Sequence, residues 1–248
     1  MLTKEYILDN MKKYCKIDTN TDLCLGNFYD LVISPLEKAN CFKDYHMSYD
    51  NGLSKGVIIF DELDYVIKIP FVCSWYEEET EWDEEKDECV VICEGGPSGY
   101  PFGGVEVEGY CFHNDWDHCE TELYRYCEAE KSGLEEHFAK IWFLDCINGW
   151  PIYAQSKACM YNTEDSYSSR SRKHYTDKER ATANAIQSSS HFYIAQEWMM
   201  DFIQYWGKDK LLDFIKFCDE WFIDDLHDGN IGYICGVPCL VDYGSFSG

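Results

Sequence analysis

The stretch Asp225-Leu-His-Asp-Gly-Asn230, followed twelve residues later by Asp242-Tyr-Gly244, constrains this chain more than any other feature. The intervening residues alternate short apolar runs with turn residues and read as turn, strand, turn, strand. Two acids and an amide are thereby carried to the ends of two short strands. Asn and Asp oxygens in such a place suit Mg²⁺, a hard cation that shares itself between protein oxygens and substrate phosphates. Asn230 and Asp242 are the candidate metal ligands. The remaining acid, Asp225, is left to accept a proton from an attacking hydroxyl.

Upstream, two β-like runs, Gly56-Val-Ile-Ile-Phe60 and Tyr65-Val-Ile-Lys-Ile-Pro-Phe71, flank Asp61-Glu-Leu-Asp64 and predict a hairpin. The second run carries Lys68. By itself a lysine in an apolar strand fits an edge position that blocks aggregation equally well. Apolar side chains at Tyr6, Ile7, Met11 and Tyr14 predict an amphipathic helix over 3–16. Residues 117–131 predict a second helix, with Leu123, Tyr124 and Cys127 on one face. Residues 150–157 predict a strand, 161–180 a polar loop or exposed helix, and 191–221 a helical, aromatic segment broken near Gly207. Residues 17–45 give no firm pattern. The order is a β-rich half followed by a mainly helical half.

The Asp225–Asn230 and Asp242–Gly244 motifs resemble the catalytic and metal-binding loops of the protein-kinase-like superfamily. The spelling is closest to the branch that phosphorylates aminoglycosides and other small molecules, with Tyr243 where the metal-binding Asp-Phe-Gly element has Phe. The resemblance spans roughly residues 46–248. It implies an α+β fold of two lobes: a small antiparallel sheet with a helix packed on it, and a shortened, mainly helical lobe. Residues 1–45 become a partly helical extension, 46–158 the first lobe with an acidic insertion near 73–110, and 159–248 the second lobe.

The resemblance also implies roles. Asp225 is the catalytic base or orients the acceptor hydroxyl, and Lys68 contacts the α- and β-phosphates of ATP. Glu120 is the helix acid that holds Lys68, chosen because Leu123 and Tyr124 lie three and four residues on. The phosphate-covering turn falls at Asn51–Gly56, where Ser54, Lys55 and Gly56 are the candidate contacts and small residues let backbone N–H groups approach phosphate. The adenine-binding hinge falls at Ser156, Lys157 and Ala158. ATP and Mg²⁺ are the implied cofactors, and the reaction is transfer of the γ-phosphate to a hydroxyl of a protein or small molecule. Two departures favour an alternative, a non-catalytic kinase-like binding module: the usual histidine two residues before the catalytic Asp is Ile223, and four residues follow Gly244. A third, Asp224 in place of the usual arginine, argues against control through an arginine that clamps a phosphorylated loop.

Composition bounds the partners. Forty-six acids against 21 Lys and Arg give a net charge of -25. That disfavours nucleic acid, whose binding depends on neutralising phosphates, and a polybasic membrane anchor. It favours a cationic acceptor. The run 77–88 alone holds nine acids and one lysine and reads as a solvated insertion, continued by the glycine-rich stretch 94–104. Within the insertion, Cys89–Cys93 reads as a short strand. Fourteen cysteines without a CxxC pair, no signal peptide and no apolar span predict a cytoplasmic protein with free thiols.

Overall fold

A computed structural model describes residues 2–52, 54–71, 73–76, 80–83, 88–91, 105–106, 110–113, 117–161, 174–190 and 193–244. The chain divides into two compact units. One comprises Met1–Cys119, Phe143–Tyr153 and Gly248, the other Glu120–Trp142 and Ala154–Ser247. The architecture is α+β, as expected, but the boundary differs from the sequence reading. Residues 1–45 belong to the first unit rather than forming an extension, and nearly all of the helix expected in the first lobe belongs to the second unit.

In the first unit, Thr3 caps helix α1 (Lys4–Tyr14) by accepting a hydrogen bond from the Tyr6 N–H. Ile7, Leu8 and Met11 form its buried face. A π-helical turn, Tyr29–Ile33, runs into α2 (Ser34–Lys38), which begins with Pro35 in its first turn. Strands β1 (Met47–Asn51), β2 (Lys55–Phe60) and β3 (Tyr65–Pro70) form a meander. After β3 come β4 (Cys73–Tyr76), β5 (Thr80–Asp83), β6 (Glu88–Val91), β7 (Val105–Glu106) and β8 (Tyr110–His113). β5 pairs with β6, and β4, β8 and β7 form a three-stranded sheet. Part of the acidic run is thus β-strand, with Asp83 paired to Glu88. Residues 77–79, 84–87 and the stretch 94–104 lie outside the described residues.

Helix α3 (His118–Ser132) follows, then β9 (Ile141–Ile147) and β10 (Trp150–Ser156). The main sheet is five-stranded and antiparallel, in the order β1-β2-β3-β10-β9. β3 is therefore central, and Lys68 is not an edge lysine.

Register sorts the residues of β2 and β3 between the two faces of this sheet, because paired residues share a face and neighbours alternate. Gly56 pairs with Ile69 and Ile58 with Ile67. This face is covered by the N-terminal segment: Phe28 packs against Phe71 with ring centroids 5.5 Å apart, and Phe42 against Phe60 at 4.9 Å. A Cβ on Gly56 would lie 2.4 Å from the Phe28 ring, so glycine is there to admit that ring. Lys55 pairs with Pro70 and Lys68 with Val57, on the opposite face.

The second unit adds β11 (Cys159–Met160), α4 (Asp177–Ser189), α5 (Gln196–Trp206) and α6 (Lys208–Glu220). Thr176 and Glu179 close a capping box at the start of α4. Gly207 ends α5 and begins α6, where the break was expected. Trp198, Phe202 and Phe214 form the aromatic centre of this unit, with centroids 5.3–5.9 Å apart. Along the aromatic segment, Trp198 and Phe202 are buried and Tyr193 and Tyr205 are exposed. Strands β12 (Ile231–Ile234) and β13 (Val237–Leu240) close a hairpin on which β11 pairs. Its turn places Cys235 at φ 52° and Gly236 at φ 82°, the left-handed pair a two-residue hairpin demands. Among the described residues no helix is long and apolar enough to cross a membrane.

Candidate active site

The β12–β13 hairpin carries the two motif segments at its open end. Asn230 immediately precedes β12, and Val241 and Asp242 immediately follow β13. The Asn230 carbonyl accepts hydrogen bonds from both the Val241 N–H at 2.7 Å and the Asp242 N–H at 3.1 Å. Asn230 and Asp242 are thus joined through the backbone despite their separation in sequence. The Asn230 side chain is buried and donates Nδ2 to the Asp225 carbonyl at 2.8 Å. With its nitrogen engaged there, the amide oxygen is the end left to meet a cation. Asp242 Oδ1 lies 3.4 Å from the Gly244 N–H.

His227 shapes the same loop. Its Nδ1 accepts from the Gly229 N–H at 2.9 Å, and its Nε2 lies 3.4 Å from Asp225 Oδ1. With Nδ1 accepting, a neutral His227 carries its proton on Nε2, the nitrogen that faces Asp225. A Cβ at Gly229 would fall 2.7 Å from the imidazole, so glycine is required for the ring to lie over the loop. The Asp225 carboxylate is part-exposed, with 44% of its side chain accessible. The backbone of Asp225 is therefore held by Asn230, and its carboxylate is flanked by His227 and open to an incoming group.

One residue of this assembly has no signature in the motif. Arg125 of α3 is buried and donates to the Tyr243 carbonyl and, at 2.8 Å, to the Phe222 carbonyl. A single guanidinium thus ties the entry of the Asp225 loop to the segment after Asp242. Burial pushes Arg125 below its ordinary pKa, against the pull of Glu122, Asp224, Cys218 and Asp242. Tyr243 is fully buried, packs edge-on to Phe138 at 5.2 Å and donates its hydroxyl to the Ala139 carbonyl at 2.6 Å. Burial foremost holds it far above the ordinary tyrosine range. Behind the hairpin, buried Asp201 accepts from Tyr233 at 2.7 Å and Tyr175 at 2.9 Å, and Trp198 Nε1 donates to the Gly232 carbonyl.

The acid that α3 turns inward is not the one expected from the sequence. Glu120 is exposed and Glu122 is completely buried. Tyr124, one of the two residues that pointed to Glu120, is 57% exposed. The inward face of α3 is instead made by Glu122, Arg125, Tyr126 and Ala129.

Ser156 ends β10, with its N–H donating to the Lys140 carbonyl at 2.8 Å, and Lys157 and Ala158 follow as a half-buried connection to β11. The remaining candidates, Ser54, Lys55, Gly56 and Lys68, belong to the first unit. The turn is tight: the Gly52 N–H donates to the Lys55 carbonyl at 3.0 Å, and the Ser54 carbonyl accepts from Phe71. Gly56 does not leave room for a phosphate where its side chain would be, because Phe28 fills that space. Lys55 and Lys68 are both buried.

Among the described residues no three His, Cys, Asp or Glu side chains converge as a metal site. Asn230 and Asp242 offer one amide oxygen and one carboxylate, a set that suits Mg²⁺ when substrate phosphates and water complete its shell. Comparison of the chain with protein-family models, curated proteins and solved structures gives no match.

Proposed function

We propose that this chain is an ATP- and Mg²⁺-dependent phosphotransferase of the protein-kinase-like type. The observation that carries the reading is the double hydrogen bond from Val241 and Asp242 to the Asn230 carbonyl. It joins the two oxygen-bearing segments that the sequence resemblance singles out. In this reading Asn230 and Asp242 hold Mg²⁺ with the phosphates of ATP. The bound cation supplies neutralisation of charge on the transferring phosphoryl group.

Asp225 orients the acceptor hydroxyl and takes its proton, while His227 and Asn230 fix the loop that presents it. Lys68 contacts the α- and β-phosphates. The hinge at Ser156–Ala158 supplies backbone groups to adenine. With a net charge of -25, a cationic acceptor is drawn to this protein and an anionic one repelled.

The test is ADP release from Mg²⁺–ATP in the presence of a panel of hydroxyl acceptors, cationic ones included. Turnover should fall at least about 100-fold in Asp225→Asn, the usual scale for removing a general base, with ATP affinity nearly unchanged. Equal turnover in the variant would overturn the role of Asp225. Tight ATP binding without turnover on any acceptor would favour the non-catalytic module.

A further inference from the structure

Helix α6 ends on a residue that its own geometry disfavours. The Ile223 N–H donates back to the Cys218 carbonyl at 2.7 Å and the Phe222 N–H to the Asp219 carbonyl at 3.3 Å, the paired bonds of a Schellman motif. That ending puts Phe222 in the left-handed region, at φ 52°. Glycine or asparagine is the usual residue there, and a bulky side chain is an outlier. Burial does not account for it, since Phe222 is 66% exposed. Neither the backbone nor the core asks for phenylalanine at this position, which points to a role outside the fold.

Phe222 belongs to a group. Trp221, half-buried, packs edge-on to Tyr124 of α3 with ring centroids 5.6 Å apart, and Tyr124 is 57% exposed. Phe217 supports Trp221 at 6.0 Å, and Arg125 holds the Phe222 carbonyl at 2.8 Å. Three aromatic residues are thus grouped on a braced backbone where α6 ends against α3. Their surroundings are acidic. Glu120 and Glu128 lie one helical turn to either side of Tyr124. Asp219, Glu220 and Asp224 adjoin Trp221 and Phe222 in sequence. Two exposed lysines, Lys131 and Lys216, offset only part of that charge.

We propose that Tyr124, Trp221 and Phe222 form a docking surface for a cationic partner protein, one that lays arginine side chains over these rings. Guanidinium groups stack on aromatic faces, and the flanking acids draw them there. A second copy of this chain is the poorer occupant, because each copy brings a net charge of -25 and repels the other. The surface does not depend on the phosphotransferase reading.

Fluorescence anisotropy of a labelled hexa-arginine peptide titrated with the full chain, in about 0.15 M salt, tests this. Wild type should bind. Phe222→Gly and Tyr124→Ser change no charge, and each should weaken binding at least about threefold, the scale of an exposed cation–π contact. Phe222→Gly should melt no lower than wild type, because glycine suits the left-handed ending, so its loss of binding is not a loss of fold. Tyr205→Ser removes an exposed ring beyond the other end of α6 and should bind as wild type does. A smaller loss in either Phe222→Gly or Tyr124→Ser, or an equal loss in Tyr205→Ser, would overturn the proposal, since the peptide would then answer only to the charge of the whole chain. No binding by wild type would overturn it too. So would a sedimentation experiment showing a dimer in wild type and a monomer in Phe222→Gly, which would give the surface to a second copy.

Discussion

Replacing Arg125 with Met is expected to cost about 3–5 kcal/mol of stability, the scale for removing one partner from a buried charged network. The buried Tyr243 carbonyl and the part-buried Phe222 carbonyl both lose this donor, and a buried acceptor left without one costs about 1–3 kcal/mol. Glu122, fully buried on the same helix, loses the cation three residues away. Arg125→Lys should recover only part, since one ammonium does not reproduce a planar fork that reaches two carbonyls. Urea unfolding followed by tryptophan fluorescence measures this. A change below about 1 kcal/mol in Arg125→Met would mean that water takes over both carbonyls, as at an exposed site.

The second large effect is a loss of stability in mild acid that traces to His137. This residue is buried in the second unit, with ring centroids 4.8 Å from Phe202 and 4.9 Å from Trp206, and its Nδ1 has no hydrogen-bond partner. Burial, reinforced by Lys210 and opposed by Glu135 and Asp213, lowers its pKa from 6.5 to about 4. The unfolded chain takes this proton near the ordinary value and the folded chain only near the lowered one. Between them the unfolded state binds more protons. The contribution is therefore fully present above about pH 6.5 and lost as pH falls to about 4. The loss is on the order of 3 kcal/mol from pH 7 to pH 4. His137→Phe keeps an aromatic ring and has nothing to protonate. The stability difference between wild type and variant should change by that amount across the window. A difference independent of pH would show that the folded protein accommodates imidazolium.

The motif was legible because it is local. Asp225, Leu226, His227, Gly229 and Asn230 fix one another within six residues, through His227 over Gly229 and Asn230 under the Asp225 carbonyl. The hairpin to Asp242 followed from short apolar runs between turn residues. Lys68 was legible as a strand residue, but its central place was not, because β10 arrives beside β3 from far along the chain.

The phase of α3 was misread for a physical reason. Its buried face is built from Glu122, Arg125 and Ala129 around Tyr126, and a reading that looks for large apolar side chains turns the helix toward Tyr124 instead. Arg125 escaped notice for the same cause: its partners are backbone carbonyls about a hundred residues away, which leave no trace in residue type. Residues 17–45 gave no pattern because a π-helical turn interrupts the helical period just where Phe28, Val32 and Ile33 become buried. The packing reason for Gly56 was not legible, because a glycine that admits a ring reads the same in sequence as one that admits a ligand.

The most direct test of the phosphotransferase proposal is the melting temperature of the full chain in millimolar ATP, with and without Mg²⁺, for wild type and Asp242→Asn. A ligand held only by the folded state adds about 2.7 kcal/mol at a hundred times its Kd. The expected result is a rise in wild type that is larger with Mg²⁺ than without, the excess vanishing in Asp242→Asn. No rise in wild type with Mg²⁺–ATP, or the same Mg²⁺-dependent excess in Asp242→Asn, would contradict the assignment of Asn230 and Asp242 as the metal-holding pair.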